Sequence, residues 1–85
     1  MITSSQNPKL KLARALLGRP KERREAGAFA AEGIRLLEEA LAADWPVRFI
    51  LHADGVSPRG RELLTGFKDR GLDVEEVSSD LLQAI

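Results

Sequence analysis

Phe29-Ala30-Ala31-Glu32-Gly33-Ile34-Arg35-Leu36-Leu37-Glu38-Glu39-Ala40-Leu41 places a strand signal, a glycine turn and an amphipathic helix within thirteen residues. At about 100° per residue, Ile34, Leu37, Ala40 and Leu41 share one side of the helix, and Arg35, Glu38, Glu39 and Ala42 share the other. One side must therefore face a core. Gly33 stands at the N-cap, where the backbone has to leave helical geometry, and Glu32 sets a carboxylate against the positive end of the helix dipole. The stretch predicts a strand over Ala28–Ala31 followed by a helix over Ile34–Ala43.

Upstream, Asn7-Pro8 is a helix start: Asn caps free N–H groups, and Pro at the first helical position gives up no bond. The helix is expected to reach about Leu17, with Gly18 in a left-handed turn and Pro20 preventing continuation. Leu10, Ala13, Leu16 and Leu17 form its inward stripe, and Lys11 and Arg14 project side by side from another face, with Lys9 at the edge of the apolar arc. Arg19 to Gly27 has no apolar stripe and reads as a loop or a short solvated helix. Its charges are not needed for packing, and the guanidinium forks of Arg23 and Arg24 suit phosphate oxygens.

Downstream, Val47-Arg48-Phe49-Ile50-Leu51-His52 is nearly continuous in apolar residues, as expected for a central strand covered on both faces. Ser57-Pro58 opens a helix with Leu63, Leu64 and Phe67 inward and Gly71 at its end. Leu72–Val77 is a more acidic strand placed nearer an edge, and Ser78 or Ser79 caps a last helix over Asp80–Ile85. Strand and helix alternate three times, and crossovers of this length join parallel neighbours. The expected fold is α/β: a small three-layer α/β/α sandwich with a mainly parallel sheet, preceded by an N-terminal basic helix. Residues 1–27 form the basic helix and loop, and residues 28–85 the α/β body.

Eighty-five residues allow one small domain that buries roughly 60–65% of its unfolded surface. With 44% hydrophobic and 31% charged residues the chain is globular rather than disordered. The absence of Cys excludes disulfides and thiol chemistry and agrees with a reducing compartment. No apolar run is long enough to span a bilayer, and Met1-Ile2-Thr3-Ser4 lacks the apolar centre of a signal peptide, so the expected location is the cytoplasm. The formal charge of zero conceals a division. Met1–Ala31 carries seven Lys/Arg against Glu22 and Glu25, a net +5, while the remainder carries −5. Such asymmetry points to a basic arm that meets a polyanion, mounted on an acidic body.

A catalytic set is not visible. There is no Tyr or Cys, and His52, the single His, stands without an evident partner at a strand end. Glu38-Glu39 and Glu75-Glu76 are adjacent in sequence and so diverge on a helix or strand, which makes them solvent charges and not acid–base pairs. No glycine-rich phosphate loop follows a strand. A stacking platform for single strands is also missing, since Phe29, Phe49 and Phe67 fall in apolar patterns and only Trp45 is free to stack. Trp45-Pro46 reads equally as a plug at the end of its helix.

The order of three motifs is more specific than any one of them. Ile2-Thr3-Ser4-Ser5-Gln6-Asn7-Pro8, the basic Lys21-Glu22-Arg23-Arg24-Glu25-Ala26-Gly27, and Phe29-Ala30-Ala31-Glu32-Gly33-Ile34-Arg35-Leu36 together resemble the N-terminal substrate-binding domain of SpoU-type (TrmH-like, SPOUT class) RNA 2′-O-ribose methyltransferases. The resemblance covers Ile2 to about Leu41, and beyond that only the order of elements agrees. It implies the small α/β fold of the kink-turn-binding ribosomal proteins and a non-catalytic role in holding structured ribosomal or transfer RNA. The expected RNA-facing residues are Asn7, Lys9, Lys11, Arg14, Arg23, Arg24 and Arg35, with Glu32 and Gly33 structural at the same end; no catalytic residue and no metal ligand are expected. S-adenosylmethionine, the methyl-transfer residues and the homodimer contact belong in that family to a C-terminal domain, so no cofactor is expected in these residues, and the apolar end Ala84-Ile85 suggests an excised domain. The alternatives are a protein-interaction or dimerisation module with an incidental basic arm, and a stand-alone kink-turn binder.

Overall fold

A computed structural model describes residues 1–30 and 32–84. Among these residues five helices and a parallel pair of strands occur in the order α1 (Pro8–Gly18), α2 (Pro20–Ala26), α3 (Ile34–Ala42), β1 (Phe49–His52), α4 (Pro58–Asp69), β2 (Asp73–Glu76) and α5 (Ser79–Gln83). In the β1–β2 register Ile50 lies opposite Val74 and Leu51 opposite Glu75. Alternation along the strands then sends successive side chains to opposite faces. Ile50 and Val74 join Ala40 of α3 and Leu64 and Phe67 of α4 in one apolar cluster. Leu51 faces the other way, toward Ile2, Leu10 of α1, Val77, and Leu81 and Leu82 of α5. Helices thus cover both faces of the sheet, which is the α/β arrangement expected from the sequence.

The helix ends follow their local signals. Asn7 Oδ1 accepts from Lys9 N at 2.9 Å, and Ser57 Oγ accepts from Gly60 N at 3.1 Å. α2 closes on Gly27 at φ +63°, a left-handed conformation in which its N–H reaches the carbonyls of Arg23 and Arg24. Gly33 takes φ +109° at the start of α3, where a side chain would be strained. Gly18, expected in a left-handed turn, is instead the last residue of α1, and the break comes from the extended Arg19 before Pro20. The predicted solvated segment is α2, a helix with no buried residue.

Three strand expectations need correction. Ala28–Ala30 has no regular structure and Phe29 is 67% exposed, while Ala31 lies outside the described residues. β1, expected at the centre of the sheet, has β2 as its strand partner among the described residues. β2, expected near an edge, is flanked on both sides, because Val77 continues it into a parallel bridge with Ile2. Ile2 N donates to Glu76 O at 2.7 Å and Ser78 N to Ile2 O at 3.0 Å. Residues of the N-terminal segment pack on the body as well: Ile2 is buried, and Leu10 of α1 is fully buried against the sheet. The last helix ends at Gln83, and Ile85 lies outside the described residues.

Candidate nucleic-acid interface

Each predicted RNA-facing residue has a definite setting, and the settings divide them. Lys11 and Arg14 are exposed on α1, three residues apart and clear of the buried Leu10 and Leu16. Arg24 is exposed on α2. These three cations have no hydrogen bond or ion pair among the described residues.

Lys9 is different. Its ammonium bridges Asp73 and Glu75 of β2, clasping α1 to the sheet, and hydrogen bonds to Asp73 and then to Glu75 hold it above the ordinary lysine range. Those carboxylates lie on the sheet face beneath α1, a long-range pairing invisible to local pattern. Arg23 is half-buried, and its Nη1 donates to Leu16 O at 2.9 Å, satisfying a terminal carbonyl of α1. Asn7 commits its side-chain oxygen to the cap of α1. All three are fold residues first. Arg19–Glu22 at 3.9 Å and Lys21–Glu25 at 3.8 Å are exposed pairs of the kind that stabilises little.

Glu32 also departs from expectation, whereas Arg35 stands on the polar face of its helix as read. Glu32 is exposed, and α3 has no side-chain cap, so its carboxylate neither closes the helix nor reaches Arg23 or Arg24. Arg35 is exposed on α3, and the charge it influences is Glu38, three residues on. Glu38, read as a simple solvent charge, accepts two bonds from Arg59 of α4, one of them Nε to Oε2 at 2.8 Å. Those bonds hold its carboxyl below the usual range. Glu75, in the Lys9 clasp, likewise is not a free solvent charge.

Two features were missed. Arg48 Nη2 donates to Ala26 O at 2.7 Å, so the end of α2 is tied to the approach of β1. Its only sequence signal was a charge interrupting the apolar run Val47–Leu51. The second is an apolar groove of about 980 Å3 beside β1, walled by Leu16 and Leu17 of α1, by Leu37 of α3, by Phe49 and by Leu82 of α5. Phe29 and Trp45 line it and remain 67% and 40% exposed. A smaller hollow of about 410 Å3 at the carboxyl end of β1 brings Arg61 and Lys68 near His52, whose Nδ1 is 2.9 Å from Ala53 O.

The described residues bury no polar or charged side chain, and no group of three His, Cys, Asp or Glu among them is arranged to hold a metal ion. Among the described residues no helix is long and apolar enough to cross a membrane. What the surface offers is exposed cations on two abutting helices and, separately, an apolar groove.

Comparison with known families agrees with the order of motifs. The description "MRM3-like substrate binding domain" matches residues 7–85. The chain belongs to the MRM3-like substrate-binding domain family. The match runs well past Leu41, where the motif resemblance ended, and through α4, β2 and α5, so the whole α/β body carries the family pattern. It agrees with the resemblance to the N-terminal substrate-binding domain of the SpoU-type methyltransferases and gives the chain a substrate-binding role of the RNA-methyltransferase kind. No curated protein and no solved structure matches the chain.

Proposed function

We propose that this MRM3-like domain binds structured ribosomal or transfer RNA through α1 and α2 and presents it to a separate catalytic domain for 2′-O-ribose methylation. The observation that carries the reading is the split among the basic residues. Lys9 and Arg23 are consumed in holding α1, whereas Lys11, Arg14 and Arg24 face solvent with no structural task. Exposed arginine and lysine side chains on a helix pair suit phosphates of a folded RNA, whose deep major groove is closed to side chains.

In this reading the domain itself transfers no methyl group. S-adenosylmethionine, the reacting groups and the homodimer contact would reside in the other domain of a cytoplasmic protein.

Three phosphate contacts give a slope of log affinity against log salt of roughly −2 to −3. The triple variant Lys11→Ala, Arg14→Ala, Arg24→Ala is expected to remove most of that slope without lowering the melting temperature. Lys9→Met is expected to retain it. Filter binding on a ribosomal RNA fragment across a salt series measures both, and a triple variant that binds as the native domain does would overturn the proposal.

A further inference from the structure

Arg59, Arg61 and Lys68 of α4 and its C-cap Arg70 are used unequally. Arg59 is bonded to Glu38, and Arg70 Nη1 donates to Asp44 Oδ1 at 2.9 Å. Arg61 and Lys68 meet no carboxylate among the described residues. Arg61 Nε donates to Val56 O at 3.3 Å, which tethers the guanidinium and leaves both Nη groups without a partner there. Both cations line the hollow of about 410 Å3 at the carboxyl end of β1. Arg61, Leu64, Thr65 and Lys68 stand at i, i+3, i+4 and i+7, so one face of α4 forms that wall.

The strands supply the other wall. His52 and Glu76 end β1 and β2, lie opposite each other in the register, and come two residues after Ile50 and Val74, so they leave the sheet on the α4 side. Both are half-buried. His52 Nδ1 is 2.9 Å from Ala53 O; a carbonyl only accepts, so in the neutral ring Nδ1 carries the proton and Nε2 is left as an acceptor. The Glu76 carboxylate accepts no bond among the described residues. Opposite charges thus share a hollow without meeting, in a domain where Lys9, Arg59 and Arg70 each find a carboxylate. The crevice outside the carboxyl ends of parallel strands is where open α/β sheets take ligands, and a volume of about 410 Å3 suits a small one.

The complement of these walls is a molecule with an anionic group at one end and paired O–H donors at the other. Two cations suit a phosphate, and two neighbouring acceptors suit a ribose diol; a carboxylate at a strand end that holds a ribose hydroxyl is a recurrent arrangement. We propose that the hollow binds a terminal ribonucleotide, its phosphate toward Arg61 and Lys68 and its 2′ and 3′ hydroxyls donating to Glu76 and His52 Nε2. Nucleotides inside an RNA chain are excluded, because their 3′ oxygen is esterified and no diol remains. The two sources of this chemistry are a free nucleoside monophosphate and the 3′ end of an RNA. Side chains hold the phosphate, so no glycine-rich loop is required. No Phe, Trp, Asn or Gln lines the hollow among the described residues, so the base is not selected. The site uses none of the α1 and α2 cations and stands independently of the RNA-binding reading above.

The test is an NMR titration of the whole chain with AMP, CMP and 2′-deoxy-AMP, and with one short RNA prepared with a free 3′ diol and with a 3′ phosphate. AMP and CMP are expected to give equal, saturable shifts of the Gly55, Thr65 and Glu76 amides, and 2′-deoxy-AMP to bind about tenfold more weakly through the hydrogen bond it lacks. Glu76→Gln should erase that difference, and Lys68→Met should weaken AMP and 2′-deoxy-AMP alike by about tenfold or more. Neither change should lower the melting temperature, since neither side chain holds a fold contact. The triple variant Lys11→Ala, Arg14→Ala, Arg24→Ala should bind AMP as the native domain does, which separates this site from the α1–α2 surface. A preference for the diol-ended RNA upholds the site with an RNA 3′ end as its ligand; AMP binding with equal affinity for the two RNAs upholds it with the free nucleotide. Shifts confined to α1 and α2, or AMP and 2′-deoxy-AMP binding equally to the native domain, would overturn the proposal.

Discussion

Arg23 and Arg24 are adjacent and identical in type, yet the structure assigns them opposite work, which makes the pair a stringent test. Arg23 is half-buried and donates from Nη1 to Leu16 O at 2.9 Å. Removing a side-chain bond of this kind costs about 1 kcal/mol net. In a domain of this size that lowers Tm by roughly 4–8 °C. Arg24 is exposed and partnerless among the described residues, so Arg24→Ala is expected to change stability by less than about 0.5 kcal/mol. Its loss should appear in RNA binding instead. One phosphate contact contributes roughly 0.7–0.9 to the log–log salt slope, which at about 0.1 M salt corresponds to a fivefold to eightfold drop in affinity. Thermal melts followed by circular dichroism, with filter binding across a salt series, read both quantities on each variant. An Arg24→Ala protein that melts several degrees lower and binds RNA normally would refute the reasoning, as would an Arg23→Ala protein with native Tm.

Leu10 is fully buried between Ile2 and Val77, and Leu10→Ala is expected to cost about 2–5 kcal/mol in urea unfolding, showing that α1 belongs to the body. The Arg59–Glu38 pair gives a pH signature. Because Arg59 holds the Glu38 carboxyl below its ordinary value of 4.5, the pair's contribution is present above that pH and disappears as pH falls through the lower folded value. Melts of native protein and Glu38→Gln are therefore expected to differ at neutral pH and to converge in acid; a difference that persists at the acid end would assign the effect to packing.

The helices were legible because each is bounded by residues that act within a few positions. Asn7-Pro8, Ser57-Pro58, Gly33 and Gly71 impose their conformations locally, and the 3.6-residue stripes of α3 and α4 point inward as read. The candidate site was half legible. Lys11, Arg14 and Arg24 are exposed as their positions imply, since a charge on the polar side of an amphipathic helix has nowhere else to go. The structural partners of Lys9 and Arg23, and the lack of a cap bond from Glu32, were not legible because they depend on elements far away in sequence or on backbone direction.

The sequence alone determined the class of fold, the starts of the helices at Asn7-Pro8, Gly33 and Ser57-Pro58, the concentration of positive charge before Ala31 and, through the order of three motifs, the family to which the chain belongs. Tertiary structure decided the rest. Burying Ile2 beside Val77 places β2 between two neighbours, and the unpaired course of Ala28–Ala30 leaves Phe29 at the mouth of a groove. It also decided which cations are spent on the fold: Lys9 reaches Asp73 and Glu75, more than sixty residues away, only because α1 lies on that face of the sheet. The physical reason is one of range. Caps, turns and amphipathic periodicity are written in neighbouring residues, whereas ion-pair partners and strand order are set by which faces meet once the apolar surfaces have been buried.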